Sequence, residues 1–403
     1  MTRRYALLTL TVTAIFLMIV GVLTRGQQLF YMSTVMIVTL IMMRVQAEFA
    51  VRGLRFERVA PKVIVAGELI AIRIRVWSQL RIRRPLLIIT DVLPERMAYD
   101  VDLRPLPVAP NYEEAVETRY ELRARRRGVY RWSKVRVRST DSMGIVSVER
   151  LYEADPIELV VHPSRISLGF DLAALTGWGA NQSDEGKNRG AGMHPQGVRE
   201  YAIGDSLRFV HWRTTAKTGV LQVKEFETGF NTNLVILPQL TRGSEFGEGA
   251  ETTLEAMCGN AAYISDVMLG RGSAVSLPTL EGEAAPAHSS DVRFRQLCDV
   301  LSGALADHDT SFADEIAKAT KSTSYGCTFI VMVSIAEPGL SDAILTLSSI
   351  APVLLLVYDA QSFSTRRPSK DLATNPEFLA SVSRSGIRIK IVSNPFQTHD
   401  KAA

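Results

Sequence analysis

Apolar and polar positions alternate differently in four stretches of this 403-residue chain. The first opens with "YALLTLTVTAIFLMIVGVL", Tyr5–Leu23, which runs without a charge. At ~1.5 Å per residue such a helix extends about 28 Å, close to the roughly 30 Å hydrocarbon core of a bilayer. After "TRGQQ" a second, shorter apolar run, Leu29–Met43, ends at Arg44. No small-x-small cleavage site follows the first run, and a signal peptide is not succeeded at once by another apolar segment. The pattern predicts a transmembrane helical hairpin over residues 1–50. Arg3 and Arg4 precede the first run and Arg44, Arg52 and Arg55 follow the second, whereas the turn holds only Arg25. The positive-inside rule then places the N-terminus and the soluble domains on the cytoplasmic side of the cytoplasmic membrane.

From residue 51 to 163 the period changes to two. "LIAIRIRVWS" alternates, "PLLIITDVLP" reads as a buried strand, and "RYELRARRRGVYRWSKVRVRSTD" is two alternating runs broken at Gly128. Short strands punctuated by Gly and Pro predict an antiparallel β-sandwich-like domain or a barrel, with helical character only around Tyr112–Val116. This domain is basic: Arg119 to Arg138 holds nine Lys or Arg against one acid, Glu121. Arg125, Arg126, Arg127 and Arg131 are the candidate basic surface. Three readings stand: attraction to an anionic membrane surface, a solvated face paired with local acids, and base stacking through Tyr120, Tyr130 and Trp132. Nothing else in the chain supports a single-strand groove, so no nucleic acid is expected.

Residues 164–230 begin as a loop rich in Gly, Asn and Ser, through Thr176–Gly197. Its "GK", Gly186–Lys187, is not a P-loop, because the spacing to Gly179 is wrong and Asn188 stands where Ser or Thr would meet magnesium. From 231 to 403, short apolar β-branched runs ("NLVILP", "SAVSLPT", "CTFIVMVS", "APVLLLVYD", "IRIKIVS") alternate with helical patterns at Glu251–Leu269, Asp291–Leu305, Phe312–Lys321, Ser341–Ser349 and Pro376–Ser385. Strands alternating with helices predict a doubly wound α/β domain. Composition agrees with a folded chain, at 46% hydrophobic and 22% charged. Cys258, Cys298 and Cys327 lack any CxxC spacing and read as buried, reduced thiols.

The densest chemistry lies in "VREYAIGDSLRFVHWRTTAKTGVLQVKEFE", Val198–Glu227. Gly204 supplies a turn and Asp205 the N-cap of a helix from Ser206 to about Lys217. On that helix Arg208, His211, Trp212 and Thr215 share a face, and a strand follows with Leu221 and Val223 on one side. A hydrolase-like reading pairs Asp205 with His211, with Glu225 as a further acid. No GxSxG nucleophile elbow occurs, no cysteine is near, and "TTAK" lacks the companions of an SxxK site. The alternative is a brace or docking surface, with Arg208, Glu200 and Glu225 in ion pairs and Trp212 packed on the adjoining sheet.

The segment resembles the signature of the bacterial "domain of unknown function 58" family. The matching positions are Tyr201, Gly204, Asp205, Arg208, Val210, Trp212, Thr215, Ala216, Lys217, Leu221, Val223, Lys224, Glu225 and Glu227. Upstream, Arg125–Ile145 is similar to the family's basic run, with Ser142 and Met143 where Pro and Phe are usual. The resemblance implies a membrane-tethered, non-enzymatic protein with a von Willebrand factor A-like α/β domain. It also implies association with MoxR-type AAA+ ATPases and transglutaminase-like membrane proteins. Such a domain can hold Mg²⁺ in a D-x-S-x-S loop after its first strand, but here Pro238, Gln239 and Leu240 follow, so no metal and no cofactor is expected. "DTSFA", Asp309–Ala313, is a decoy in which Ser311 is a helix cap. The expected function is a membrane-anchored interaction or adaptor protein working with a MoxR-type ATPase in envelope-related assembly.

Overall fold

A computed structural model describes residues 2–82, 84–101, 106–110, 112, 114–141, 144–170, 195–201, 210–226, 233–281, 289–322, 327–364, 371–383 and 387–398. The chain divides into two compact units, Met1–His162 and Pro163–Ala403.

The first unit begins with helices α1 (Thr2–Leu23) and α2 (Gln27–Ala50). Between them the Gly26 N–H reaches the Gly21 carbonyl (3.0 Å) and the Arg25 N–H the Val22 carbonyl (3.3 Å), with Arg25 left-handed at φ 50°. These paired bonds form a Schellman stop, here built on an arginine rather than the usual glycine. Helix α2 is long and apolar enough to cross a membrane, and the described apolar part of α1, Leu7–Leu23, is shorter. Hydroxyls of Thr9, Thr11, Thr34 and Thr39 donate to carbonyls four residues back, which hides polar groups on otherwise apolar helices.

Nine strands follow: β1 (Leu54–Val59), β2 (Val63–Val65), β3 (Leu69–Ser78), β4 (Leu87–Asp91), β5 (Tyr99–Val101), β6 (Leu106–Val108), β7 (Val116–Ala124), β8 (Gly128–Thr140) and β9 (Ser147–His162). They form two sheets, ordered β1-β3-β7-β5 and β2-β9-β8-β4-β6. The sheets face each other across one core, in which Ile72, Ile74, Leu87, Ile89, Leu122, Val135, Val137 and Leu159 alternate inward. The β-sandwich is not purely antiparallel, because β2 pairs with β9 in parallel. Nor is there a helix at Tyr112–Val116: Tyr112 bridges Ser78 and Val116 opens β7. Ala47, Ala50 and Val51 at the end of α2 belong to the same core. The Arg84 guanidinium donates to the Ala50 and Arg52 carbonyls and to Ser78 Oγ, and the Tyr152 hydroxyl donates to the Val51 carbonyl. The helix end is thereby bolted into the sandwich.

One ion pair lies inside this core. Arg58 Nη1 and Asp91 Oδ1 are 2.8 Å apart with both side chains fully buried. Asp91 Oδ2 accepts from the Tyr120 hydroxyl (2.8 Å) and Trp132 Nε1 (3.2 Å), and Arg58 Nη2 donates to the Trp132 and Asp155 carbonyls. Both charged groups are answered by several partners, as the low-dielectric interior demands, although Arg58 Nε makes no hydrogen bond among the described residues.

The second unit starts with residues 163–170 laid along helix Thr253–Gly270. The Ile166 N–H bonds the Gly259 carbonyl (3.1 Å), and Asn260 ties Ile166 to the buried Tyr358 hydroxyl. A two-stranded antiparallel pair, β10 (Pro195–Glu200) and β11 (Gln222–Phe226), flanks helix α3 (Trp212–Thr218). The main sheet contains β12 (Asn233–Pro238), β15 (Val275–Ser276), β16 (Cys327–Val333), β17 (Val353–Tyr358) and β18 (Arg388–Val392), after a small hairpin of β13 (Gly247–Glu248) and β14 (Glu251–Thr252). The five strands are parallel in the order β15-β12-β16-β17-β18. Alternate residues split between two cores. Leu234, Ile236, Ile330, Met332 and Leu354 face helices Thr253–Gly270 and Ser290–Gly303, while Val235, Leu237, Phe329, Val331 and Leu355 face Phe312–Ser322, Leu340–Ile350 and Pro376–Ser383. This is a doubly wound parallel sheet. The three cysteines are buried and not in disulfides, and burial pushes the Cys298 thiol up to about 12.

Candidate functional site

Of the predicted helix Ser206–Lys217 the structure describes residues 210–217, and the first two of these are not helical. Val210 bridges Val223, the His211 N–H donates to the Gln222 carbonyl (2.7 Å), and the helix begins only at Trp212. Its cap is His211, whose Nδ1 accepts from the Thr214 N–H at 3.2 Å and lies 2.8 Å from Thr214 Oγ1. Pairing with β11 therefore overrides the helical periodicity at Val210 and His211. Gly204, Asp205 and Arg208 lie outside the described residues, as does most of Thr176–Gly197; its last residues, Pro195–Gly197, are strand rather than loop. Thr215 Oγ1 accepts from the Gln222 N–H (2.9 Å), and Gly219, at φ 72°, closes the helix.

His211 is thus a cap and not a member of a helix face. A ring nitrogen that accepts an N–H carries no proton, so the proton of neutral His211 sits on Nε2, which can donate but not abstract. Trp212 does not pack on a sheet: it is 68% exposed. Lys217 is also exposed, Tyr201 is half-buried with its N–H on the Leu221 carbonyl (2.8 Å), and Glu225 stands on β11 opposite Gly197. Among the described residues of the motif, Val210 and Val223 are buried and face each other across the pairing.

The basic surface is also revised. Arg127 is buried and Arg126 half-buried, while Arg125 Nε lies 2.6 Å from Asp100 Oδ2 and Arg131 Nε 3.6 Å from Glu158 Oε1. Further along β8, Arg136 Nε meets Glu149 Oε1 at 2.9 Å. Strand β9 supplies acids across from the basic strand, so cross-strand pairing absorbs much of its charge.

A third locus was read from the sequence only as the place where a metal loop is missing, at Pro238, Gln239 and Leu240. At the carboxyl ends of β12 and β16, where the strand order reverses and ligands of such sheets bind, the Gln239 side chain is fully buried. Its Oε1 accepts from the N–H groups of Ser334 (2.9 Å) and Ile335 (3.1 Å), and Nε2 donates to Glu337 Oε1 (2.7 Å) and the Ile335 carbonyl (3.2 Å). Glu337 Oε2 accepts from the Phe312 N–H (2.9 Å) and so holds the start of the next helix. Ser311 Oγ accepts from the Ala313 N–H, which fits the cap reading of "DTSFA". Nearby, His308 Nδ1 lies 2.6 Å from Glu315 Oε1, which Thr310 also contacts (3.0 Å). The only sequence signal was a polar residue directly after an apolar strand.

The geometry is that of a self-filled sheet end and an outward-facing signature hairpin on a doubly wound unit. A family model described as "Protein of unknown function DUF58" matches residues 197–357, from β10 to β17. The chain is similar to the uncharacterized protein YeaD of Bacillus subtilis (strain 168), at 24% identity over 253 residues. That alignment covers 60% of this chain and 60% of the relative, so the chain spans about three-fifths of the length of the curated protein it matches. Among solved structures, the CARDB domain of a Pyrococcus furiosus protein in complex with di-metal ions matches 27% of this chain and 91% of that chain. At 15% identity and a TM-score of 0.18, that likeness carries no argument about this fold or about metal.

Proposed function

We propose that the protein is a membrane-anchored, cytoplasm-facing adaptor that engages a MoxR-type AAA+ ATPase through its signature segment, in envelope-related assembly. The observation that carries this reading is the exposed Trp212 on helix α3, beside exposed Arg213 and Lys217. Solvent-facing tryptophan with flanking cations suits a binding anchor, since Trp and Arg dominate interface energetics. The self-filled sheet end supports the same choice, because Gln239 and Glu337 occupy the crevice with the chain's own groups. We read the α/β unit as a degenerate von Willebrand A-like domain in which Pro238 and Gln239 replace a metal loop, and α1 with α2 as a transmembrane hairpin. The charge asymmetry about the two helices supports the orientation.

The test is reconstitution of the full chain in nanodiscs with a purified MoxR-type ATPase from the same genome. Binding should occur and fall at least tenfold for Trp212→Ala with Arg213→Glu, while the thermal transition of the protein stays unchanged. Binding that is indifferent to both substitutions refutes the signature as the docking face. No binding by the wild-type chain refutes the ATPase as partner.

A further inference from the structure

We infer that the end of the β-sandwich into which α2 is bolted forms a collar for anionic phospholipid headgroups. This rests on the reading that α2 crosses the bilayer, and it moves the lipid-facing surface away from the basic β8 strand. The first argument is length. The uncharged run of α2, Leu29–Met43, covers roughly 22 Å at ~1.5 Å per residue, against a hydrocarbon core of about 30 Å. Extending the span to Glu48 makes up the difference, with exposed Arg44 snorkelling toward the polar layer. Yet Ala47, Ala50 and Val51 are already in the sandwich core. A helix this short therefore holds that end of the sandwich against the leaflet.

The second argument is the chemistry at that end. Three arginines lie over aromatic rings there: Arg52 over Phe49 at 5.2 Å, Arg81 over Tyr112 at 4.7 Å, and Arg150 over Tyr152 at 5.6 Å. Phe49 is 49% exposed and Leu80, packed beside Gly53, is 39% exposed. Glu48 pairs with Arg52 at 3.5 Å, which leaves the collar with a cationic excess. Amphipathic rings with guanidinium groups suit the headgroup layer, where aromatic residues concentrate and basic residues attract anionic lipid. Arg84 and Tyr152 fix the collar to the helix end, so its arginines stay within reach of the headgroup layer and anionic lipid there draws them in.

The experiment uses the full chain in nanodiscs of phosphatidylcholine alone or with 30% phosphatidylglycerol. Because Cys258, Cys298 and Cys327 are buried, a cysteine introduced at Gln79, beside the collar, takes a fluorophore selectively. A second labelled variant carries Arg123→Cys, at the opposite end of β3 and β7. A third, Val38→Cys, reports on α2 itself. Quenching by neutral acrylamide is the readout. The Gln79→Cys label should be several-fold less quenched in phosphatidylglycerol discs than in phosphatidylcholine discs, and the Arg123→Cys label equally open in both. Added Arg52→Glu, Arg81→Glu and Arg150→Glu should erase that difference. Equal quenching of the Gln79→Cys label in the two discs, with the Val38→Cys label shielded, overturns the collar alone. An open Val38→Cys label overturns the membrane-spanning reading and the collar with it.

Discussion

Asp91 offers the sharpest test of what holds the sandwich together. Its carboxylate is fully buried and accepts three hydrogen bonds, from Arg58, Tyr120 and Trp132. Asp91→Ala removes the partner and leaves the Arg58 guanidinium charged, dehydrated and held only by carbonyls. Breaking a buried pair in this way costs about 3–5 kcal/mol. At ~1.4 kcal/mol per factor of ten, that is a loss of roughly 10²-fold to a few thousand-fold in the folded-to-unfolded ratio. Arg58→Met with Asp91→Leu, by contrast, removes both charges and keeps apolar volume, so most of the loss should be recovered. Hydrogen exchange by mass spectrometry reads this directly. Amides of β3, β4, β7 and β8 should exchange faster by that factor in Asp91→Ala, with the parallel strands β12, β16 and β17 of the other unit as the internal reference. If the double variant is as damaged as the single one, the cost lies in lost packing or hydrogen bonding and not in an orphaned charge, and the reasoning is wrong.

Two further outcomes follow from buried groups. Burial, reinforced by the Asp91 carboxylate, raises the Tyr120 phenol far above its ordinary range, and burial does the same to Tyr358. Above about pH 10 the unfolded chain releases these protons and the folded chain keeps them, so stability is full below that pH and falls by about 1.4 kcal/mol per pH unit per tyrosine above it. Alkaline unfolding followed separately in each unit checks this, and Tyr120→Phe should flatten the slope for the sandwich alone. In the other unit, Gln239→Glu replaces a donor to Glu337 with a second carboxylate. It should cost at least ~2 kcal/mol at neutral pH, as buried like charges and an orphaned acceptor require. The loss should shrink at acidic pH as one carboxyl takes up a proton, which a pH series of thermal transitions would show; a pH-independent loss contradicts the charge argument.

Much of the α/β unit was legible because its signals are local. Phe312–Lys321 was expected and Phe312–Ser322 is found, and "NLVILP" is strand β12 residue for residue. Apolar β-branched runs and helical periods need no distant partner to be read. The failures share the opposite cause. The helix was expected to run through Val210 and His211, but Val210 is drawn into pairing with Val223 and His211 caps the helix that starts after it. For Arg131 and Arg136 the sequence left a lipid-facing surface and a face paired with acids both open, because the acids that answer them, Glu158 and Glu149, come from the next strand across the sheet. Arg58 and Asp91 are separated by 33 positions, and nothing in either neighbourhood announces the pair. In the brace reading Trp212 was expected to pack on the adjoining sheet from its place on a helix face; the seven-residue helix found there has no buried residue, and Trp212 stays exposed.

The two histidines of the second unit show how one hydrogen bond decides what a ring can do. His211 was the sequence's candidate base, but its Nδ1 is spent as an acceptor for the Thr214 N–H, so Nε2 holds the proton. His308 has the reverse arrangement. An ionised carboxylate only accepts, so with Glu315 Oε1 at 2.6 Å the proton belongs on Nδ1, and Nε2 is left as the acceptor. Orientation of an imidazole by a carboxylate is the geometry of acid–base catalysis. Thr310, the nearby hydroxyl, is engaged with the same carboxylate at 3.0 Å and points its donor there. An enzymatic reading of this chain would find at His308, near the carboxyl ends of β12 and β16, a ring nitrogen oriented by a carboxylate, whereas His211 Nδ1 is engaged in capping the helix that carries the exposed Trp212.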